Sequence, residues 1–541
     1  MNLLLAALAL TIAGQDSVHN HAPQLGKVSF ESSCNADAAA KLQRGLGWLH
    51  SFEYEEAERT FAQAASADPR CAIAHWGVAM SNYHPLWAAP SPAELAKGRA
   101  ALARAREIGA SKREQDYVAA LEAFYRDSDR VDHGVRVLAH ASAMEQLHRR
   151  YPNDGEAAVF YALSLVAAGL LDDDPGYQRE KAAAAILTAV LEREPDHPGA
   201  VHYLIHSFDY PPLAHLALPA ARRYASIAPA SAHAQHMPSH IFTRLGLWDE
   251  VIRSNQAADA AGRAYAKSQR LPDAWDERLH AMDYLAYGYL QTGRDTDAQR
   301  VLDELKAIAR VDPPSFKVAY AATAIPARMV LERRQWRDAA SLDLPPKLLK
   351  LAPLAKFRWA EAPIHLARAV GAARSGDPAR ARDEVEKLRR IEQAITVPAG
   401  EYDWRRQVSI QRQIGEAWLA HAEGRKDEAA RLMRAAADMD DATEKHPVMP
   451  GAILPAREQL GELLLELGRP VEALTEYESS LKRAPRRLVG LYGAGRAARL
   501  AGDKVTAGGY YTQLVELTKN SDGTRAEVQE ARAFAAEFAV R

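Results

Sequence analysis

A repeated spacing of glycine, alanine and aromatic residues constrains the fold of this chain more than any other feature. The pattern recurs at an interval of about 34 residues near the C-terminus and is also found near the N-terminus. Its copies are Gly461, Ala473, Tyr477 and Pro485; Gly495, Ala507 and Tyr511; and Gly45, Ala57, Phe61, Ala64 and Pro69. Small residues let two antiparallel helices approach closely, an aromatic ring fills the gap, and proline ends the second helix. The pattern therefore predicts an all-α fold built from helical hairpins.

This pattern resembles the tetratricopeptide repeat family, in which each unit of about 34 residues is a helix–turn–helix hairpin. Weaker matches occur around 155–195, 198–230, 232–262, 279–310, 320–345, 362–392 and 410–440. The resemblance implies a solenoid with a right-handed superhelix over most of the chain. It implies little about chemistry, because such repeats carry many different functions.

The breaks in this pattern suggest how the chain is organised. We expect a helical repeat array over residues 37–442, followed by a proline-rich link, "TEKHPVMPGAILPARE", at 443–458. Residues 459–541 then form the C-terminal repeats and a capping helix. In solenoids, insertions between units tend to lie on one face, which is often the binding face.

The N-terminus, "MNLLLAALALTIAGQDS", is typical of a secretory signal, since residues 3–13 are apolar and small residues follow. We predict a signal peptide at 1–14 and a flexible lead at 15–36, and hence an exported protein, periplasmic or secreted. No lysine or arginine precedes the apolar run, so a frayed first helix is the alternative. The run is too short to span a membrane.

The two cysteines, Cys34 and Cys71, are about one repeat unit apart and each precedes the first helix of a unit. Stacked units could bring them together, and an oxidising compartment would then favour a disulfide that ties down the N-terminal cap. Two free, buried thiols are the alternative.

The balance of charge argues against two classes of partner. The chain carries 68 lysine and arginine residues against 70 acidic residues, a net charge of −2. Its arginine-rich tracts are interleaved with acids, as on a solvated helix face. We therefore expect no binding to nucleic acid and no attraction to an anionic membrane.

Histidines mark the candidate site. Two pairs with a spacing of four, His202 with His206 and His236 with His240, are themselves separated by one repeat unit. The same two positions of successive units thus carry imidazoles on one helix face. The stretch 197–240 holds seven histidines, where the average over the chain, 19 in 541, gives roughly 1.5.

The next unit adds an acid to this face. Asp283 is the equivalent position in that unit, and His280 and His233 lie nearly one turn earlier in their helices. Imidazole and carboxylate together suit zinc, copper, iron or nickel. We predict a transition-metal site formed by His202, His206, His233, His236, His240, His280 and Asp283, and we expect the metal to be lost below about pH 6, where histidines protonate.

Two other interpretations remain open at this point. The concave groove could bind an extended peptide or a protein partner without metal, or the histidines could serve packing alone. Weaker candidates for the same groove are His84, Arg328, His365 and His446. No phosphate-binding glycine loop or nucleophile motif is found, so a hydrolase or oxidase activity would first require an observed metal.

The segment around the histidines, with "DPRCAIAHWGVAMSNYHPLW" near the N-terminus, also resembles a group of exported bacterial tetratricopeptide proteins. This resemblance implies a shared histidine-bearing core. It brings no activity with it.

Overall fold

A computed structural model describes residues 24–86, 88–171, 174–271, 273–398 and 400–539, of which 538 and 539 are described in backbone only. The predicted signal peptide, residues 1–14, lies outside the described residues, as does the start of the predicted lead. The described chain is all-α, as the sequence predicts. In sequence order its helices are α1 (Ala36–His50), α2 (Tyr54–Ala67), α3 (Ala72–Met80), α4 (Pro92–Ile108), α5 (Lys112–Tyr125), α6 (His133–Arg150), α7 (Gly155–Gly169), α8 (Gln178–Arg193), α9 (Pro198–Ser207), α10 (Leu218–Ile227), α11 (Ala232–His236), α12 (Pro238–Arg244), α13 (Trp248–Ser268), α14 (Asp276–Gln291), α15 (Asp295–Ala307), α16 (Phe316–Leu331), α17 (Trp336–Ala340), α18 (Pro346–Leu351), α19 (Ala362–Arg374), α20 (Pro378–Ala394), α21 (Trp404–Ala422), α22 (Lys426–Asp441), α23 (Ala456–Glu466), α24 (Pro470–Arg483), α25 (Leu488–Leu500), α26 (Lys504–Leu517) and α27 (Ala526–Ala539).

The remaining regular structure is small. Two 3-10 helices span Ala214–Ala217 and Arg358–Glu361. Strands β1 (Ala274–Trp275) and β2 (Val311–Asp312) pair in parallel, with Ala274 opposite Val311. No helix in the described part of the chain is both long and apolar enough to cross a membrane.

Aromatic residues of the second helices pack onto glycines of the first helices, as in a tetratricopeptide solenoid. The Phe61 ring of α2 lies between α1 and α3, so close that a Cβ on Gly45 or Gly77 would be 2.6 or 2.5 Å from it. Tyr477 packs in the same way between Gly461 and Gly493. Each ring therefore sets the distance between successive units, and only glycine leaves room for it.

The N-terminal segment before α1 has no regular secondary structure but is packed against the array. In the described part of the predicted flexible lead, residues 24–35, the side chains of Leu25 and Phe30 are buried. Cys34 and Cys71 are joined by a disulfide, with their Cα atoms 4.7 Å apart. This bond connects the segment to the start of α3.

The C-terminal repeats turn back and contact the middle of the array. Arg487, at the start of α25, is fully buried and forms ion pairs of 2.8 Å with Glu332 and 2.6 Å with Glu458. Arg525 binds the carboxylate of Asp295, 2.9 Å away. Breaking a buried ion pair leaves one charge without its partner, so these contacts hold the two parts of the array together.

The proline-rich link predicted at 443–458 is irregular as far as Pro455, and α23 begins at Ala456. It lies against the first helices of the middle units. The Tyr284 hydroxyl donates to the carbonyls of Pro447 and Met449, at 3.2 and 3.3 Å, and the Arg328 guanidinium donates to the carbonyls of Gly451 and Ala452. The chain thus covers part of its own inner surface.

The packing of Phe61 predicts the effect of a single methyl group. Gly77→Ala should lower the free energy of unfolding by about 1–3 kcal/mol, because the new Cβ overlaps the ring. Phe61→Leu makes room, so the double variant should be more stable than the sum of the two single losses predicts. Urea unfolding followed by circular dichroism measures this.

Gly509→Ala is the matched control. Gly509 is a helical glycine whose Cβ would meet no atom within 4 Å, so its substitution should be neutral or slightly stabilising. Equal effects at positions 77 and 509 would contradict the packing argument.

Candidate functional site

Six histidines from three successive units meet in the interior. His202 and His206 lie on α9, His233 and His236 on α11, His240 on α12 and His280 on α14. We call these six residues the histidine cluster. Their side chains are 0–7% exposed, and five of the six are at or below 1%. The sequence-predicted set is thereby brought together, except for Asp283.

Local signals start the helices that carry these residues. Pro198 is the first residue of α9, where its missing N–H costs nothing, and the His197 side chain caps this helix by accepting from the Ala200 amide. Ser231 caps α11 by accepting from the Ala234 amide. Pro238 separates α11 from α12, but Met237 keeps helical backbone angles (φ −51°, ψ −37°), so His236 and His240 remain one turn apart.

The cluster divides into two groups of three. The first histidine group is His202, His206 and His233, and the second is His236, His240 and His280. In each group, one ring nitrogen per residue lies within 4.8 Å of those of the other two. One aromatic ring covers each group: Phe52 contacts all three rings of the first, and Tyr284 all three of the second.

Acceptors outside the cluster fix the orientation of three rings. The His202 Nδ1–H donates to the backbone carbonyl of His50 at 2.6 Å, and the His240 Nδ1–H donates to the Asp209 carboxylate at 2.9 Å. The His236 Nδ1–H donates to the Asn255 side-chain oxygen at 2.6 Å; this amide's own nitrogen donates to Val251. Each of these histidines therefore carries its proton on Nδ1 and directs an Nε2 lone pair inward.

Inside the cluster, Nε2 atoms face one another. The two Nε2 atoms of His202 and His206 are 3.1 Å apart, and those of His236 and His240 are 3.0 Å apart. His206 can donate an Nε2–H to His202. In the second pair both protons are already on Nδ1, so two lone pairs face each other with no hydrogen between them.

Burial keeps these rings neutral. It lowers the pKa of His240 to about 4, although Asp209 opposes the shift. The pKa of His202, His206, His236 and His280 is lowered well below the usual value by burial and by the neighbouring histidines. The buried imidazoles resist charging, so they protonate at a pH well below their usual pKa. The loss of a bound metal below about pH 6 stays a prediction.

Asp209 is the anchor on one side of the cluster. It binds His240, receives two hydrogen bonds from Arg244 and lies 3.3 Å from Lys445. Burial alone would raise its pKa, but Lys445 and Arg244 hold the pKa well below its usual range. Burial lowers the pKa of Lys445 to about 8. The negative charge beside His240 is thus already balanced by cations.

A second set of buried charges lies beside His233. Its Nδ1 is 3.7 Å from the Glu277 carboxylate, which forms an ion pair with Lys317. Glu53 accepts from the Ser231 hydroxyl at 2.7 Å and from the His233 amide at 3.3 Å. Burial, together with Glu277, raises the pKa of Glu53 well above its usual value. These acids support α11 from outside the cluster.

Sequence reasoning missed a third buried group, His50, Glu156 and His197. Glu156 accepts from His50 Nε2 at 2.8 Å and from His197 Nε2 at 3.1 Å. Because His197 Nδ1 and His50 Nδ1 also have partners, in the Ala200 amide and Tyr203, this group is a satisfied hydrogen-bond network. It holds the residue whose carbonyl orients His202. His197 belongs to the histidine-rich stretch, but nothing in the sequence links it to His50 or Glu156.

Asp209 and Asn255 were also missed, since neither occupies an equivalent position in successive units.

Of the predicted ligands, Asp283 belongs to neither histidine group: one carboxylate oxygen lies 3.4 Å from the Arg328 guanidinium, and both side chains are buried. Arg328 and Asp283 thus neutralise each other, although Asp283 lies on α14, the helix that also carries His280.

The remaining weaker candidates lie apart from the two groups. His84 is 3.9 Å from a Glu94 oxygen, and His365 is 2.7 Å from a Glu384 oxygen. His446 packs in an aromatic cluster with Phe316, Tyr402 and Trp404.

The predicted ligand groove is filled at this place by the chain itself. The segment 50–54 covers the first histidine group through Phe52, and the link at 443–455 reaches the second through its bonds to Tyr284 and Asp209. Two surface cavities, of 430 and 370 Å³, are lined by other residues, mostly charged. A peptide could reach the histidines only after displacing these segments.

The neutral buried imidazoles predict how the stability of the metal-free protein depends on pH. His240 has a pKa of about 4 when folded and 6.5 when unfolded, so the unfolded chain binds more protons below pH 6.5. The contribution of the neutral His240 ring to the free energy of unfolding is therefore fully present above pH 6.5 and is lost as the pH falls toward 4. Between pH 7.5 and 5 this residue alone should reduce the free energy of unfolding by about 2 kcal/mol.

Urea unfolding in chelator at several pH values measures this effect. In the His240→Gln variant, position 240 cannot titrate, so the loss of unfolding free energy between pH 7.5 and 5 should be smaller by about 2 kcal/mol. An identical slope in both proteins would show that His240 is not held neutral.

No protein-family model matches the chain, and no curated protein matches it. Among solved structures, it is similar to the human IFIT1 dimer with m7Gppp-AAAA, at 13% identity and a TM-score of 0.36, over 90% of this chain and 96% of that one. It is also similar to yeast Tom70, at 12% identity and a TM-score of 0.32, over 93% and 97%. A third similar structure is the TPR domain of P58(IPK), at 16% identity and a TM-score of 0.20, over 72% of this chain and 100% of that one.

Proposed function

We propose that this helical-repeat protein binds a transition metal through the histidine cluster. The observation that carries the proposal is the pair of facing Nε2 lone pairs on His236 and His240, 3.0 Å apart. Asp209 and Asn255 require both rings to keep their protons on Nδ1. Two buried lone pairs that face each other repel unless a cation lies between or beside them.

A proton is a poor candidate for that cation. A shared proton would make one ring an imidazolium, and burial lowers the pKa of both rings far below neutrality. A metal ion instead requires neutral imidazoles whose Nε2 atoms are unprotonated, and these rings meet that requirement at pH 7.

The hydrogen-bond partners around the histidines fit a metal site, as the ring nitrogens themselves do. Ligating histidines usually donate their other N–H to a carboxylate, a backbone carbonyl or water, which fixes the ring and makes it a better ligand. His240 donates to a carboxylate, His202 to a backbone carbonyl and His236 to the side-chain carbonyl of Asn255. His206, His233 and His280 complete the donor set. Bound there, a zinc, copper, iron or nickel ion would supply Lewis-acid or redox chemistry.

The metal-free alternative, a concave groove for a peptide or protein partner, has less support. The histidines are buried, and the chain's own segments cover them. Burial also keeps them uncharged, so they offer no positive charge to an acidic peptide.

Metal analysis of the full chain, purified without affinity histidines or chelator, tests the proposal. The wild-type protein should contain at least one equivalent of a transition metal. His206→Ala with His240→Ala should lose it while circular dichroism stays nearly unchanged, because both changes remove ligands and leave the helices in place.

His365→Ala is the control, since His365 binds Glu384 away from the cluster. It should keep the full metal content. Unaltered metal in the double variant, or no metal after incubation of the wild-type protein with each ion, would refute the proposed site.

We also propose that the protein is exported. The apolar run at residues 3–13 and the disulfide between Cys34 and Cys71 support this, because disulfides persist mainly in oxidising compartments.

In fractionated bacterial cells, the full chain should appear in the periplasm or the medium, shortened by about 14 residues if the predicted cleavage site is correct. Leu8→Arg, which interrupts the apolar run, should stay uncleaved. A wild-type protein that remains in the cytoplasm with Met1 intact would contradict export.

A further inference from the structure

We infer that the cluster is a pair of three-histidine copper sites that together bind dioxygen. This inference rests on the proposed metal-binding function and goes further by giving the number of ions, their identity and the molecule that they bind.

Each histidine group is a complete site for one ion. Three nitrogens within 4.8 Å of one another can ligate one metal and leave a coordination position open. The two groups arise from successive repeat units: α9 supplies two residues of the first group, and α11 and α12 supply two of the second. His233 on α11 and His280 on α14 complete the groups.

The groups are in contact with each other. The ring centroids of His206 and His240, from different groups, are 6.2 Å apart, and those of His233 and His236 are 6.1 Å apart. These distances match the 6.3 Å between His240 and His280 within one group. Because ligands of the two groups are direct neighbours, ions bound in both groups would lie side by side and could share one small bridging ligand.

Charge favours copper over a pair of divalent ions. No carboxylate belongs to either histidine group within the described chain. The acids within 4 Å of a ring nitrogen of the cluster, Asp209 and Glu277, are already paired with Lys445 and Lys317. Two divalent ions would therefore place four positive charges among six neutral ligands in the interior, at a high desolvation cost. Two copper(I) ions bring only two charges, and imidazole is a good ligand for copper.

Dioxygen keeps that charge constant. Each copper(I) gives one electron to O₂, so two copper(II) ions and one bridging peroxide form, and no proton enters or leaves. The total charge is +2 before and after. This balance suits a buried site, because no counter-ion has to follow the reaction.

The burial and the aromatic surroundings of the cluster also favour a small apolar molecule. The histidines are at most 7% exposed, which leaves no direct access for a large substrate. The rings of Phe52 and Tyr284 lie over the two groups, with centroid distances to the nearest histidine of 4.4 and 4.6 Å. They keep the cluster apolar on those sides.

The test uses the full chain loaded with copper(I) without oxygen. The wild-type protein should bind two equivalents. After addition of O₂ it should develop a strong peroxide-to-copper charge-transfer absorption and show no electron paramagnetic resonance signal, because the two copper(II) spins pair through the bridge. His206→Gln and His240→Gln should each bind one equivalent, lack the absorption and give a copper(II) signal once oxidised. His365→Gln should behave like the wild-type protein.

The outcomes separate this inference from the proposed function. If the wild-type protein binds one equivalent of copper, or if its two copper(II) ions give independent resonance signals, the paired copper sites are refuted but a metal site remains. Binding of zinc with no binding of copper would do the same. Failure to bind any metal would overturn both. The wild-type stoichiometry and resonance signal decide the question even where a variant folds poorly.

Discussion

The close packing of aromatic rings on glycine fixes the distance between hairpins, and the position of every other group depends on that distance. Phe61 between Gly45 and Gly77, and Tyr477 between Gly461 and Gly493, leave no room for a methyl group. Where successive units stack, side chains one repeat unit apart in sequence become neighbours in space. Two His-x-x-x-His pairs can then lie side by side on a simple scaffold.

Burial converts this arrangement into a chemical site. An open solenoid would leave its inner helices in water, where histidines titrate near their usual pKa. Here the segment after α1 and the link before α23 cover the inner surface, and the C-terminal repeats are held against the middle units by Arg487 and Arg525. The imidazoles are thereby buried and neutral. Neutral, oriented nitrogens favour a metal ion and disfavour an anionic peptide.

The outer acceptors are as important as the six rings. Without the His50 carbonyl, Asp209 and Asn255, each ring could place its proton on either nitrogen and satisfy its neighbour by a hydrogen bond. With them, both protons of His236 and His240 are held on Nδ1, so neither ring can donate to the other. The two acids beside the rings are balanced by cations: Asp209 by Arg244 and Lys445, and Glu277 by Lys317. They therefore add no net negative charge to the cluster.

The sequence by itself determined the helical hairpins, through the spacing of glycine and aromatic residues, and the alignment of His202 with His236 and of His206 with His240. These are local or periodic relations, which depend only on the helical turn and the repeat length. Only the tertiary structure decided that Asp283 pairs with Arg328 and that His233 and His280 complete separate groups. It also brought in His50, Asp209 and Asn255 and covered the groove with the chain's own segments. Such contacts join residues far apart in the chain, as between Asp209 and Lys445, and they depend on how the array curves and closes. The sum of many packing angles sets that curvature, and no spacing in the sequence encodes it.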